Sequence, residues 1–154
     1  MVTSLGSPEL DARVRLAVYQ YFVGTGRAPS VRDISDEIGT PPAPVAHSLE
    51  RLAAARVLVV DPSTRQLWMA MPFSAVPTCF RVRGEDGREW WANCAWDALG
   101  ISAMLRIPVE ITTSCPDCGD PPPVRATGRG LSRGAGVVHF AVPAASWWED
   151  IGFT

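Results

Sequence analysis

The sequence predicts an α+β protein in which three helices and a hairpin precede a smaller mixed α+β region. Three observations predict it. Apolar residues recur at helical spacing through the first 55 residues, two short apolar runs around a turn follow them, and alternating strand-like segments flank one helix after residue 75. Apolar residues make up 47% of the 154 residues and charged residues 19%, which is enough apolar material for a buried core.

The first helix is predicted over residues 8–23, where apolar side chains follow a 3.6-residue period and glycines come directly after. A second helix begins after Ser30, with Asp33 completing a loose capping box, and ends at Gly39. A third follows the prolines of "TPPAP". The runs "VLVV" and "QLWMAM", on either side of Asp61, then predict a β-hairpin.

This order of elements is typical of a winged helix, so we predict a winged-helix-like domain over residues 1–74 and a second domain over 75–154. The first domain is either a packing or dimerisation module or a DNA-binding element. The predicted recognition helix offers only Arg51 and Arg56 as cations, and the net charge is −2. Phosphate contacts dominate affinity for DNA, so we favour packing over DNA binding.

In the second half, "TCFRVR", "REWWAN", "IPVEITTSC" and "GVVHFAVP" predict strands, and "GEDG" predicts the turn between the first two. The segment "CAWDALGISAML" predicts a helix broken or kinked at Gly100. No segment is apolar enough to span a bilayer and the N-terminus does not resemble a signal peptide, so we expect a cytoplasmic protein without membrane partners.

Cys94 and Asp97 are the candidate catalytic residues because positions i and i+3 share one face of a helix. Cys94 stands at the predicted N-terminus, where the helix dipole lowers a thiol pKa, and apolar surroundings would raise the pKa of Asp97. The pair would be a nucleophile beside a proton donor. The alternative is a buried cysteine that packs as a small apolar side chain, with Asp97 capping the helix or paired to an arginine.

The run "WWANCAWDALG", followed by a strand and the cysteine of "VEITTSC", resembles the organomercurial (alkylmercury) lyase family. Cys94, Ala95, Asp97 and Leu99 fit that family's Cys-Ala-x-Asp-x-Leu motif, and Trp91 stands where classical members have tyrosine. The phrases "MPFSAVPT" and "VVHFAVPAASWWEDIGFT" resemble a divergent actinobacterial-type branch. The resemblance implies a winged-helix-like domain followed by a small catalytic domain.

The activity that the resemblance implies is protonolysis of a carbon–mercury bond, with Cys94 binding mercury and Asp97 relaying the proton. It implies no organic cofactor, Hg(II) as product or ligand, and cellular thiols or a mercuric reductase as the acceptor of Hg(II). The family's second catalytic cysteine follows an aromatic-rich segment that corresponds here to "WWEDIGFT", where this sequence ends. We therefore expect either a truncated chain or a short form that has lost the lyase reaction, with weak mercury binding and poor turnover unless another thiol replaces the missing one.

The other cysteines give competing expectations. Cys115 and Cys118 form a Cys-x-x-Cys typical of a zinc knuckle, which needs four ligands for a structural zinc site. They are metal-ligand candidates with Cys94, and either could supply the missing thiol. Cys79 is expected in the core, and His139 is not selected as a ligand.

Trp90, Trp91 and Trp148 are expected to line an apolar substrate pocket. Two non-enzymatic alternatives stay open: a metal-responsive DNA-binding regulator and a structural zinc protein.

Overall fold

The computed structural model describes residues 7–134 and 136–152, and it has an α+β fold with the helices first and one antiparallel sheet after them. The helices are α1 (Ser7–Thr25), α2 (Val31–Ile38), α3 (Pro42–Ala54) and α4 (Ala95–Leu105). The strands are β1 (Val59–Val60), β2 (Leu67–Ala70), β3 (Phe73–Ser74), β4 (Phe80–Gly84), β5 (Glu89–Ala92), β6 (Val109–Thr112), β7 (Val124–Ala126) and β8 (Leu131–Arg133). A 3₁₀ helix covers Ala144–Glu149.

The first three helices and the β1–β2 hairpin form the predicted winged-helix-like arrangement. The capping box of α2 is complete: the Asp33 carboxylate accepts from the Ser30 amide at 2.7 Å, and the Asp33 amide donates to the Ser30 hydroxyl at 3.1 Å. Gly39 ends α2 with φ at 63°, a conformation that glycine adopts without strain. Local sequence signals therefore determine where these elements start and stop.

Within the described residues, the eight strands form one sheet in the order β1-β2-β3-β5-β4-β6-β7-β8, and every pairing is antiparallel. One buried apolar cluster draws on α1, α2, α3, α4 and the sheet together. The predicted domain boundary at residues 74/75 falls directly after β3, whose pairing with β2 and β5 joins the two halves. The division into two domains stays a prediction.

Three local predictions were wrong. Helix α4 runs through Gly100 without a break, because a single glycine inside a helix costs only about 1 kcal/mol relative to alanine. The segment "CPDCGDPPPVRATGRG", residues 115–130, which the sequence predicts to be a loop, contains β7. The segment 136–143 is not a strand: no described strand pairs with it, and Val137 is 93% exposed.

The C-terminal end of α1 contacts β5 closely. The indole Nε1 of Trp90 donates to the Phe22 carbonyl at 2.9 Å, and the Arg88 guanidinium donates to the Val23 carbonyl at 3.0 Å. A Cβ on Gly26 would lie 2.1 Å from the Glu89 carbonyl oxygen, and the φ of Gly26 is +71°. Only glycine fits where the chain leaves α1 against the strand that leads to α4.

Gly26→Ala is expected to lower the free energy of unfolding by about 2 to 4 kcal/mol, because it adds backbone strain to a clash with a strand carbonyl. Gly24→Ala is the matched control, because Gly24 lies within α1 with nothing near its Cβ position. That control should be neutral or stabilising by up to about 1 kcal/mol. Urea denaturation followed by circular dichroism measures both. Equal stability of the two variants would contradict the close contact between α1 and β5.

Candidate functional site

The turn from β5 into α4 positions Cys94 and Asp97. Cys94 is the N-cap of α4, with extended backbone dihedrals, and its sulfur accepts a weak hydrogen bond of 3.5 Å from the Asp97 amide. The Asp97 carboxyl lies close enough to the Cys94 thiol for each group to shift the pKa of the other. The two side chains therefore meet at the first turn of α4, as their spacing predicts.

Burial raises the pKa of the Cys94 thiol above its ordinary value of 9.0, and the nearby Asp97 charge adds to the shift. The expected lowering of this pKa by the helix N-terminus is wrong in net direction. Backbone N–H groups of Trp96 and Asp97 do lower the pKa of Cys94, but desolvation outweighs them. The free thiol is the dominant form of Cys94 at neutral pH.

Burial also raises the pKa of Asp97 above 3.8, against the lowering effects of the Asn93 amide and the Cys94 thiol. The Asn93 Nδ2 donates to Oδ2 of Asp97 at 3.0 Å and to the Phe73 carbonyl at 3.4 Å. From α1, Tyr19 has a raised pKa, chiefly through its burial and in part through the Asp97 charge. Asp97 therefore has a raised pKa, a hydrogen bond from Asn93 and an electrostatic interaction with Tyr19.

A pocket of about 310 Å³ opens beside Cys94. Its wall is mixed: the apolar side chains include Phe80, Phe140, Val142 and Trp147, and polar atoms make up nearly as much of the exposed lining. His139 is the other lining side chain that could coordinate a metal, and it comes from a segment 45 residues further along the chain. Such a pocket can hold a small apolar group next to one thiol and one imidazole.

The three tryptophans predicted for the pocket lie elsewhere. Trp90 is only 1% exposed, because its ring fills the core and its indole bonds to α1, so its assignment to the pocket is corrected. Trp91 pairs across the sheet with Ser74 and Arg81. Trp148 lies against the Arg56 guanidinium, 5.5 Å from its ring centroid, and it is the adjacent Trp147 that lines the pocket.

Cys115 and Cys118 lie in a tight turn, closed by hydrogen bonds of 2.9 Å from the Cys115 amide to Asp120 and 2.8 Å from the Gly119 amide to Cys115. The pKa of Cys115 is lowered by the backbone N–H groups of Cys118 and Asp117 and by the Cys118 side chain. Neither cysteine is among the residues that line the Cys94 pocket. Cys79, expected in the core, is exposed.

Within residues 7–134 and 136–152, no three His, Cys, Asp or Glu side chains form a group that could hold a metal ion. Four zinc ligands around the Cys115–Cys118 turn are therefore not assembled from the described part of the chain. Residues 153 and 154, the end of the "WWEDIGFT" segment, lie outside it.

The arginines of α3 and its end make intramolecular contacts. Arg51 Nε donates to the Asp11 carboxylate on α1 at 3.0 Å, and Arg56 lies over Trp148. Glu50 beside them pairs with Arg65 of the hairpin. These contacts compete with phosphate binding, which would need the same guanidinium groups.

Sequence reasoning did not select Asn93, Tyr19 or His139 for the site. Asn93 carried a signal, because it directly precedes the N-cap cysteine and is a strong hydrogen-bonding residue. Tyr19 and His139 reach the site only through tertiary packing, and no local pattern marks them.

Asp97→Asn should raise the thermal midpoint at pH 8. A raised folded-state pKa means that ionised Asp97 costs stability, a cost that is absent below pH 3.8 and grows as pH rises through the folded pKa. Thermal melts from pH 4 to 8 measure it, and the gain should shrink at low pH. Asp11→Asn is the control of opposite sign, because hydrogen bonding to Arg51 lowers the pKa of Asp11. A loss of stability at pH 8 in both variants would contradict the assignment.

Iodoacetamide should modify Cys115 faster than Cys94 at pH 7, because the pKa of Cys115 is lowered and that of Cys94 is raised. Peptide mass spectrometry over time gives both rates in one sample. Unfolding in urea should remove most of the difference, and a folded protein in which Cys94 reacts first would overturn the prediction.

Among curated proteins, none matches the sequence significantly. A solved structure, described as the crystal structure of the mercury-bound form of MerB2, has a similar fold, with a TM-score of 0.62 and 21% identity. The match covers 84% of this chain and 65% of that chain, so this chain spans just under two thirds of the length of that protein.

The described helices are all too short or too polar to cross a membrane.

The sequence model of the family MerB, alkylmercury lyase, matches residues 73–154, a segment that contains Cys94, Asp97 and the residues that line the pocket. Since that segment is more than half of the sequence, the chain belongs to the alkylmercury lyase family.

Proposed function

We propose that this protein binds organomercurial compounds through Cys94 and cleaves the carbon–mercury bond with Asp97 as the proton donor. The observation that supports the proposal is that a half-buried thiol and a carboxyl with a raised pKa share the first turn of α4, at the edge of a pocket lined partly by aromatic side chains. Mercury is a soft metal that prefers sulfur, and the pocket wall suits an alkyl or aryl group.

In the first step the Cys94 sulfur displaces a ligand X⁻ from R–Hg–X and forms a sulfur–mercury bond. The thiol proton passes to the Asp97 carboxylate, which the raised pKa of Asp97 favours. In the second step this proton moves to the carbon atom. The carbon–mercury electron pair becomes the new carbon–hydrogen bond, so R–H leaves and mercury remains Hg(II) on Cys94 without any oxidation or reduction.

A second thiol must stabilise Hg(II) and remove it. Cys94 is the one cysteine that lines the described pocket. We propose that a small thiol from solution supplies the second sulfur and carries Hg(II) away. Cys115 and Cys118 are candidates for this role only if their turn can approach the pocket.

The zinc and DNA-binding alternatives have no comparable supporting geometry among the described residues.

Methylmercury turnover tests the function by methane release in excess thiol. We expect release by the wild type, a loss of about 10³-fold or more in Cys94→Ser, and a loss of about 10²- to 10⁴-fold in Asp97→Asn. Cys79→Ala is the matched control, because this exposed thiol lies outside the pocket lining and its removal should leave the rate unchanged.

The Cys115→Ala, Cys118→Ala double variant identifies the source of the second sulfur. Full activity with added thiol supports a thiol from solution, and a loss that added thiol cannot restore assigns the role to the turn. A wild-type chain that binds mercury but releases no methane at any thiol concentration would overturn the lyase proposal.

A further inference from the structure

Asn93 connects the strand β3, the end of β5 and the first turn of α4. Its side-chain nitrogen donates both of its hydrogens within the protein, to Oδ2 of Asp97 at 3.0 Å and to the Phe73 carbonyl at 3.4 Å. Asn93 also lines the pocket beside Cys94. It is thus the residue that connects the Asp97 carboxyl to the backbone of the sheet.

The direction of the Asn93 amide follows from its partners. Reversing the amide would bring its oxygen against the Phe73 carbonyl and the Asp97 carboxylate, which are both acceptors. With the nitrogen in this position, Oδ2 of Asp97 faces an N–H donor. A proton on Oδ2 would compete with that donor, so Oδ1 is the oxygen that can carry it.

The environment of the Asn93 side-chain oxygen indicates that Asn93 serves the site and does not stabilise the fold. Oδ1 of Asn93 is buried and has no hydrogen-bond partner among the described residues. A buried acceptor without a donor costs stability, and such groups in native proteins call for a functional explanation. An apolar side chain of similar volume would avoid that cost but would leave Oδ2 of Asp97 without its donor.

We propose that Asn93 is a positioning residue for proton transfer: its amide nitrogen holds Oδ2 of Asp97 and leaves the proton on Oδ1. The part of this inference that concerns turnover rests on the proposed function. The hydrogen bond and its effect on Asp97 exist without mercury and are measured separately.

The other titratable groups that act on Asp97 come from two elements. Cys94, on the same helix turn, lowers the pKa of Asp97, and Tyr19 interacts with Asp97 electrostatically from α1. The Tyr19 hydroxyl donates to the Met71 carbonyl at 3.0 Å. Arg15 lies over the Tyr19 ring, with 5.9 Å between its guanidinium carbon and the ring centroid. Cys94 and Tyr19 are both neutral around pH 7, because their pKa values are raised above 9.0 and 10.0. Neither group therefore changes charge near pH 7 in a way that would mask the effect of the Asn93 hydrogen bond on the pKa of Asp97.

The first experiment measures the pKa of Asp97 by carbon-13 NMR of its carboxyl carbon in the mercury-free protein. In Asn93→Leu the pKa of Asp97 should rise, because the hydrogen bond from Asn93 lowers it in the wild type. Thr113→Val is the matched control, since Thr113 carries the other buried side-chain oxygen without a described partner and its loss should leave that pKa unchanged. Asn93→Ala serves if the leucine variant does not fold.

The second experiment measures methane release from methylmercury with pH. Asn93→Leu should lower kcat by roughly tenfold with little change in KM. It should also move the alkaline limb of the pH profile of kcat to higher pH, because Asp97 would keep its proton to a higher pH. An unchanged Asp97 pKa, or an unchanged kcat in an active protein, would overturn the positioning role. If the wild type releases no methane while the pKa of Asp97 still rises in the variant, the lyase proposal fails and the control of Asp97 by Asn93 stands.

Discussion

The hydrogen bond from the Trp90 indole to the Phe22 carbonyl joins the helical half of the protein to the strand that leads to Cys94. It holds β5 against the end of α1 with a fully buried aromatic ring, and Phe22 in turn stacks on Phe73 of β3 at 5.3 Å between ring centroids. Burying a tryptophan is favourable only if its N–H finds an acceptor, which the C-terminal carbonyls of a helix can provide. β5 ends at Ala92, so Asn93 and the N-cap Cys94 directly follow the strand that this contact joins to α1.

The chemistry at that turn results from two opposed physical effects. The N-terminal N–H groups of α4 favour negative charge on Cys94, and burial disfavours it on both Cys94 and Asp97. Because burial is the larger effect, the site at rest holds a thiol beside a carboxyl with increased proton affinity. This state suits protonolysis, which needs a retained proton as much as a sulfur ligand.

The pocket depends on segments that are distant in sequence. Cys94 and Asn93 come from the β5–α4 turn, Phe80 from the start of β4, and His139, Phe140 and Trp147 from the chain that follows the sheet. The Trp147 indole donates to the Val142 carbonyl at 2.9 Å, and its ring packs at 5.3 Å from Phe140. The adjacent Trp148 lies against Arg56 at the end of α3, so this last segment is also attached to the helical half. Most of the pocket wall therefore comes from segments other than the turn that contains Cys94 and Asp97.

Features that depend on neighbouring residues can be predicted from residue spacing alone. The capping box of α2, the glycine end at Gly39, the hairpin turn at Asp61, and the shared face of Cys94 and Asp97 all follow from spacings of a few residues. Other features follow from the packing of distant segments: the net pKa shift of Cys94, the burial of Trp90, the exposure of Cys79 and the approach of Asn93, Tyr19 and His139 to the site. Desolvation and pocket shape depend on which distant segments pack around a residue, and a local sequence pattern carries no information about those segments.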